Sequence, residues 1–364
     1  MHQLRFEHEN LTQRICFGSG SARTLLAAEV ERLAAERVML IASAREAERA
    51  GSITAGLPIA HRHSEVRMHV PVEAAEHARA CAARHDVDAL VCIGGGSAIG
   101  LAKAVALATG LPIIAVPTTY AGSEATTVWG MTDNGRKTTG VDARVLPRAI
   151  VYDAELTLSL PVAMSVASGL NALAHCVDGM WGPRADPIDQ ALAVEGIRAL
   201  WIGLPAVAAN SRDLAGREHV LYAAYLSAAA FSSAGSGLHH KICHVLGGAY
   251  NLPHAQTHAV VLPYVLAYNA PAVPHIQRRI AAALGASDAL DGLQRLRRQL
   301  DAPKALSDYG FRESDIDEAV AAILPGVPDN NPRQVTAEDL GHVLRAACRG
   351  SDPATISQPI ESQP

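Results

Sequence analysis

In the first half of the chain, short hydrophobic segments alternate with segments of mixed hydrophobic and polar residues. Short aliphatic runs predict buried strands at residues 38–43, 88–97, 111–119 and 149–153. Ala-rich segments with charges at helical spacing predict helices at residues 44–50, 72–84 and 98–110. Because strands that alternate with helices usually pair in parallel, this half is predicted to form a doubly wound, Rossmann-like sheet.

The pattern changes after residues 156–161, where the strand runs disappear. Long Ala-rich segments follow at residues 161–181, 189–201 and 218–235, and they are apolar almost all round. Such segments are typical of buried helices that pack through small side chains. We therefore predict an α/β dinucleotide-binding domain at residues 1–158, an all-helical domain at residues 159–350 and a disordered, Pro-rich tail at residues 351–364.

Composition and charge narrow the classes of function. Hydrophobic residues make up 49% of the chain, enough for a large core, and the formal net charge of −5 offers no basic field to a nucleic acid. No uncharged run of about 18 apolar residues and no signal-peptide pattern is present, so we expect no membrane span. The six scattered cysteines, without a CxxC pair, favour reduced thiols in a cytoplasmic protein.

Two loops follow predicted strands at the carboxyl edge of the sheet. The first, GGGS, precedes a helix, and its glycines allow close approach of a phosphate to the helix N-terminus. The second, PTTYAGSE, offers hydroxyl groups, although an ST-rich turn can also satisfy its own backbone. We predict that these loops bind a dinucleotide through Gly94, Gly95, Gly96, Ser97, Thr118, Thr119 and Ser123.

The stretch IASAREAE bears on the choice of cofactor. Ser43 occupies the position after the first core strand where NAD-specific enzymes carry an acid that repels a 2′-phosphate. Glu46 is the nearest acid that could replace it. We therefore predict that both NADH and NADPH are accepted.

Five of the sixteen histidines lie within residues 235–259. His240 and His244 are four residues apart on a predicted helix and share one face, and Asn171 and His175 repeat this spacing. Together with His254, such imidazoles can surround a divalent metal ion or, when protonated, an anionic substrate. We favour one shared site because several buried, unpaired imidazoles would be costly.

The remaining histidines of this stretch are less informative. His239 is adjacent to His240 and is expected to point elsewhere, and His258 is interpreted as an exposed helix residue.

Five motifs in collinear order resemble the iron-containing alcohol dehydrogenase family: GGGSAIGLAKA, PTTYAGSEAT, YDAELTLSLP, SGLNALAH and GLHHKICHVLGGAYNLPHA. The resemblance covers about residues 17–284. It implies a dehydroquinate synthase-like fold, with an α/β domain, an all-helical domain and an active site between them. The family's metal is held by an Asp and three His, which match Asn171, His175, His240 and His254. His244 matches a further histidine near the nicotinamide.

Asn171 departs from the family pattern, because metal-dependent members carry Asp at that position. A neutral amide oxygen is a poorer ligand than a carboxylate. Gly100 also replaces an Asp that is common after the glycine motif. We expect that catalysis does not require Fe²⁺ or Zn²⁺, although an ion could still bind His175, His240 and His254.

The motif variants are most similar to the family members that reduce maleylacetate. This resemblance implies reduction of the carbon–carbon double bond of maleylacetate to 3-oxoadipate in bacterial degradation of aromatic compounds. His244 or His254 would supply a proton and His175 and His240 would polarise the ketone. The predicted partners of this small dicarboxylate substrate are Asn171, His239, Lys241 and one of Arg136 and Lys137.

Three other functions fit parts of the pattern. A metal-dependent alcohol or polyol dehydrogenase of the same family would need the metal that Asn171 disfavours. A lyase similar to dehydroquinate synthase would consume no net NADH. A non-enzymatic nucleotide-binding module would not need so many histidines. The small-residue segment 227–235 is compatible with a homodimer.

Overall fold

The computed structural model describes residues 4–133 and 136–357, apart from the side chains of Arg136, Lys137 and Ser357. The predicted substrate contacts Arg136 and Lys137 therefore lie outside the described side chains. Internal contacts divide the chain into two compact units. An α/β unit contains Asn10–Leu160 and Arg212–Leu221, and a helical unit contains the described parts of Met1–Glu9, Pro161–Ser211 and Tyr222–Pro364.

The α/β unit contains eight strands and four α-helices among its described residues. In chain order they are β1 (Arg14–Phe17), α1 (Ala22–Arg32), β2 (Val38–Ile41), α2 (Ala47–Ile53), β3 (Ile59–His63), α3 (Val72–Arg84), β4 (Ala89–Gly94), α4 (Gly96–Thr109), β5 (Ile113–Pro117), β6 (Val128–Asp133), β7 (Arg136–Val141) and β8 (Ala149–Tyr152). Six strands form a parallel sheet in the order β1-β8-β5-β4-β2-β3. The predicted fold class is confirmed.

Both faces of this sheet are buried, which explains the continuous apolar runs of its central strands. Met39 and Ile41 of β2 point to one face and pack in a core cluster with Ala78 of α3. Val38 and Leu40 point to the other face and pack with residues of α1 and α2. The edge strands β1 and β3 were not predicted, because RICF and IAHRH are short and partly polar.

Strands β6 and β7 form a separate antiparallel hairpin that was not predicted. The available signal was the Asn-Gly pair at positions 134 and 135, which is typical of hairpins. Lys103 of α4 holds the start of this hairpin. Its buried Nζ donates to the carbonyl oxygens of Thr126 at 2.7 Å and Val128 at 2.8 Å.

The helical unit is built from long helices. Its elements are α5 (Val162–Trp181), α6 (Pro187–Ala209), α7 (Leu214–Ala234), α8 (Leu238–Ala249), α9 (His254–Asn269), α10 (Pro274–Ala283), α11 (Ala289–Gln299), α12 (Ile316–Ile323) and α13 (Ala337–Arg349). The first turns of α7 belong to the α/β unit, and Arg217 on these turns is fully buried. Its guanidinium donates to the Tyr120 hydroxyl at 2.9 Å and to the Leu160 carbonyl at 3.0 Å.

By length and apolar composition alone, α6 could cross a membrane, and among the described residues no other helix passes that test. This is weak support for a span, because core helices have the same composition. Here α6 packs against α5 and α10 within the helical unit.

The prediction of a disordered tail is wrong for its first seven residues, 351–357, and the rest of it lies outside the described residues. Pro353–Ser357 forms a 3₁₀ helix. Ile356 is only 3% exposed and joins the core cluster that contains α9. The Tyr264 hydroxyl also donates to the Ser351 carbonyl at 2.8 Å. Buried apolar side chains at Pro353 and Ile356 therefore hold an otherwise polar segment in place.

Candidate active site

The predicted glycine turn joins β4 to α4. Gly94 has φ of +150°, and a Cβ added there would lie 2.9 Å from the Ala98 Cβ. A Cβ on Gly95 would lie 2.8 Å from the Thr119 Cγ2. No side chain caps the amino end of α4, so its first N–H groups can bind an anion. The space that these glycines keep open fits the pyrophosphate of a dinucleotide.

The second predicted loop lies beside the first. The Thr118 N–H donates to the Gly94 carbonyl at 3.1 Å, which links the ends of the neighbouring strands β5 and β4. Ser123 begins a 3₁₀ turn, and its carbonyl accepts from the Thr126 hydroxyl at 3.1 Å. Ser43 follows β2, which pairs with β4. The predicted nucleotide-binding residues therefore come from three neighbouring strands at one edge of the sheet.

Four buried histidines from three helices form what we call the imidazole cluster: His175 on α5, His239 and His240 on α8, and His258 on α9. The rings of His175 and His240 stack with centroids 4.8 Å apart. The His258 ring lies 4.8 Å from that of His240. Phe231 of α7 covers both stacked rings, at 4.8 Å from His175 and 4.2 Å from His240.

His244 and His254 lie next to this cluster, but the expectation that they are buried is wrong. The His244 ring is 5.9 Å from His240, and the His254 ring is 4.3 Å from His258. Both side chains are exposed, since His244 lies one turn further along α8 and His254 is the first residue of α9. The four predicted catalytic histidines therefore divide into a buried pair and an exposed pair.

The expectations for His239 and His258 are also wrong. His258 is fully buried, and its Nδ1 lies 2.9 Å from the Nε2 of His239. His239 points into the cluster instead of away from it, with its ring 5.1 Å from His240. The signal that could have placed His258 is its spacing of four residues from His254, which puts both on one face of α9.

Asp178 is a site residue that sequence reasoning missed. It is fully buried, and its Oδ2 accepts from the Nδ1 of His240 at 2.6 Å and from the Gly237 N–H at 3.1 Å. Its spacing from Asn171 and His175, seven and three residues, places all three on one face of α5. When His240 donates its Nδ1 proton to this carboxylate, its Nε2 presents a lone pair.

Burial sets the charge state of the cluster. It lowers the pKa of His175 and of His239 to about 3, with nearby histidines adding to the shift. It also lowers the pKa of His240 and His258 well below the ordinary value. These rings are neutral near pH 7, so His239 does not provide the cation expected for a substrate carboxylate. Burial raises the pKa of Asp178 to about 7.

Several buried polar atoms of the cluster have no hydrogen-bond partner: Asn171 Oδ1, His175 Nδ1, His239 Nδ1, His240 Nε2 and His258 Nε2. Since unpartnered buried polar atoms are costly, this group points to a bound ligand. His239, His240 and His258 each offer a ligand atom within 4.8 Å of the others. This set shares only His240 with the predicted metal ligands. Its three neutral imidazole nitrogens can coordinate a divalent ion. The set contains no carboxylate, which would bind such an ion more tightly.

Two family models match this chain. The family model described as iron-containing alcohol dehydrogenase matches residues 12–154. The model of the C-terminal part of the Fe-containing alcohol dehydrogenase family matches residues 165–348.

Curated relatives match over nearly the full chain. Maleylacetate reductase of Pseudomonas sp. (strain P51) is 41% identical over 96% of this chain and 99% of that protein. Maleylacetate reductase of Sphingobium indicum is 42% identical over 97% of this chain and 100% of that protein.

Solved structures show the same fold. An iron-containing alcohol dehydrogenase from Corynebacterium glutamicum is 59% identical with a TM-score of 0.96, covering 98% of this chain and 100% of that chain. Maleylacetate reductase from Agrobacterium tumefaciens is 38% identical with a TM-score of 0.91, covering 96% of this chain and 99% of that chain.

Proposed function

We propose, from the premise that the chain belongs to the iron-containing alcohol dehydrogenase family, that this oxidoreductase reduces the carbon–carbon double bond of maleylacetate to 3-oxoadipate with NADH or NADPH. The two curated maleylacetate reductases described above match 96–97% of the chain at 41–42% identity. The observation that carries the proposal is a neutral, buried imidazole cluster with Asn171 in place of the family's metal-binding Asp.

The glycine turn and the loop at Thr118 and Thr119 would hold the cofactor. When bound, NADH or NADPH supplies the hydride. Ser43 stands where NAD-specific enzymes carry an acid, and Glu46, the acid that could replace it, pairs with Arg49 at 2.8 Å. The absence of a repelling charge supports acceptance of both cofactors.

The chemistry requires a hydrogen-bond donor at the ketone oxygen. Hydride addition to the carbon β to the ketone leaves negative charge on that oxygen as an enolate. The pair formed by Asp178 and His240 suits this role. When Asp178 is protonated, its O–H donates a hydrogen bond to the Nδ1 of His240. The proton of the His240 ring is then on Nε2, and this N–H can donate to the ketone oxygen. A neutral, buried donor with a fixed orientation stabilises developing charge strongly.

The proton for the α carbon has to come from another group. The buried rings hold no spare proton near pH 7, whereas His244 and His254 are exposed and can exchange protons with water. One of these two histidines therefore acts as the general acid. Lys241, half-buried on α8, supplies positive charge to a substrate carboxylate, and the Asn171 amide can donate to the substrate.

Catalysis in this proposal does not depend on a metal ion. If an ion binds, the unpartnered imidazole nitrogens would hold it and it would polarise the ketone oxygen. Asn171 contributes at most a neutral oxygen, so such an ion would be held weakly.

The test compares NADH oxidation with maleylacetate, glyceraldehyde and small aldehydes, each with and without EDTA. We expect rapid oxidation with maleylacetate that EDTA does not reduce. Turnover of aldehydes alone, and only with added Fe²⁺ or Zn²⁺, would overturn the proposal. It would support the second candidate, a metal-dependent alcohol dehydrogenase, which the 59% identity to the Corynebacterium glutamicum structure favours.

Substitution of the exposed pair, His244 and His254, tests which of them is the general acid. We expect either His244→Ala or His254→Ala to lower the maleylacetate rate by about 10²- to 10⁴-fold, the usual contribution of a general acid. His275→Ala, an exposed histidine on α10, is the matched control and should leave the rate unchanged. Full activity in both His244→Ala and His254→Ala would discard the assigned role.

A further inference from the structure

A second group of histidines lies in the α/β unit, at the edge of the sheet. We call it the β3–α3 cluster: His61 and His63 on β3, His77 and Cys81 on α3, and His85 at the C-cap of α3. The proposed reduction uses none of these residues. Strand β3 is the edge strand beyond β2 in the sheet order.

Backbone geometry brings these side chains together. His61 pairs with Met39 and His63 with Ile41, so both histidines point to the sheet face on which Met39 and Ile41 pack against α3. On α3, His77 and Cys81 are four residues apart and share one helix face, and the C-cap residue His85 follows four positions later. Cys81 is buried at 5% exposure on that face.

The distances are those of a group that can share one ion. His61, His63 and Cys81 each offer a ligand atom, and these atoms lie within 4.8 Å of one another. The His85 ring stacks on that of His61 with centroids 4.4 Å apart. The His77 ring meets that of His63 edge-on at 5.5 Å.

His63 provides an independent sign of a missing ligand. Its side chain belongs to a residue only 3% exposed, and its Nε2 is buried without a hydrogen-bond partner. A buried imidazole nitrogen without a partner, beside other side chains that can ligate, is what a metal-binding histidine presents to an ion.

From this geometry we infer that His61, His63 and Cys81 bind a divalent transition-metal ion of the zinc class. Two imidazoles and one thiolate suit Zn²⁺, Co²⁺ or Ni²⁺, and they do not suit Mg²⁺ or Ca²⁺, which require oxygen ligands. Three protein ligands leave one tetrahedral position, which His85 or water can fill. The site is independent of the proposed reductase function.

Binding has a structural consequence. The edge strand β3 would be tied to α3 by bonds to the ion, in addition to one ladder with β2. An ion that binds only the folded state raises stability by mass action. Zn²⁺ should therefore raise the melting temperature of the full-length, chelator-treated protein.

The test is a Co²⁺ titration of the full-length protein after removal of metals. A thiolate ligand gives a sulfur-to-cobalt charge-transfer band in the near ultraviolet, which a site of imidazoles alone does not give. We expect this band in the unsubstituted protein and in the control Cys16→Ala, a half-buried cysteine of the same unit. We expect Cys81→Ala to abolish it.

A further variant separates this site from the imidazole cluster, where the Cys243 Sγ lies 3.6 Å from the Nε2 of His239. Cys243→Ala should retain the band. A band that disappears in Cys243→Ala and persists in Cys81→Ala would refute the inference, as would the absence of any band.

His63→Ala gives a second measurement. We expect it to weaken Co²⁺ binding at this site by about tenfold or more, because loss of a ligand costs at least as much as loss of its supporting contacts. It should also remove the Zn²⁺-dependent rise in melting temperature. Unchanged cobalt affinity in His63→Ala would be inconsistent with the site.

Discussion

The glycine turn and the imidazole cluster are built in opposite ways. The turn is made of consecutive residues and works by keeping side chains away from a ligand, as the blocked Cβ positions of Gly94 and Gly95 show. The cluster gathers side chains from α5, α7, α8 and α9, and it works by excluding water from them. A site made of backbone is fixed by local sequence, whereas one made of side chains is fixed by helix packing.

The two regions also differ in what they leave unsatisfied. In the turn, the Gly94 carbonyl accepts from the Thr118 N–H, and the Gly95 carbonyl from the N–H groups of Ala98 and Ile99. In the cluster, four ring nitrogens and the Asn171 amide oxygen are buried without partners. Burial of these unpartnered atoms therefore costs free energy that a bound ligand would recover. Substitutions in the cluster should lower the rate of the chemical step and leave the affinity for the cofactor unchanged.

The largest effect expected in this comparison tests the separation between chemistry in the cluster and cofactor binding in the turn. His240→Ala removes the proposed donor to the ketone oxygen, and we expect kcat for maleylacetate to fall by about 10²- to 10³-fold. The KM for NADH should stay within about twofold, since the glycine turn is untouched. Asp178→Asn keeps His240 and changes only its hydrogen-bond partner, so it should lower kcat by less than His240→Ala does. A large rise in the KM for NADH in His240→Ala would contradict the division of roles.

The next effect concerns the free energy of unfolding at acid pH, and the buried histidines of the cluster should account for most of its decrease. The folded pKa of His175 and of His239 is about 3, against an unfolded value near 6.5, so the unfolded chain binds more protons between these values. Stability should fall as the pH drops from about 6.5 towards 3. At pH 5 each of these histidines would lower the free energy of unfolding by about 2 kcal/mol. Urea unfolding at pH 7 and pH 5 measures this difference.

A variant assigns that pH dependence to the cluster. His175→Gln removes one titrating ring and should reduce the difference between pH 7 and pH 5 by about 2 kcal/mol. The exposed variant His275→Ala should leave it unchanged. Equal pH dependence in all three proteins would show that the buried rings are not responsible.

A smaller effect is expected at the turn. Gly95→Ala places a methyl group 2.8 Å from the Thr119 Cγ2, and overpacking of this kind typically costs about 1–3 kcal/mol. We expect NADH to bind about ten- to hundredfold more weakly, with little change in kcat at saturation. Gly51→Ala in α2 is the matched control, since its added Cβ meets nothing within 4 Å. Fluorescence titration of NADH would measure both, and equal affinities would sink this account of the turn.

The smallest effect concerns the choice of cofactor. Ser43→Asp adds a negative charge where a 2′-phosphate would lie, and a partly exposed like-charge contact costs on the order of 1 kcal/mol. We expect kcat/KM for NADPH to fall by roughly five- to tenfold while that for NADH stays constant. Equal losses with both cofactors would place Ser43 away from the 2′ position.

Residue spacing predicted much of this arrangement. The alternating strands and helices, the glycine turn and the shared face of Asn171 and His175 all follow from period and composition. Burial did not follow, because a spacing of four residues shows which side chains share a face but not what covers that face. Phe231 and α9 cover the cluster, so His258 is buried and His254 is not.

The short C-terminal 3₁₀ helix has a practical consequence for anyone who works with this enzyme. Its polar, Pro-rich sequence invites truncation at residue 350. Such a cut would delete Ile356, strip an apolar plug from the helix that carries His254 and His258, and leave the Tyr264 hydroxyl without its acceptor. Low reductase activity of the shortened chain would then result from a less stable helix and not from the catalytic residues themselves.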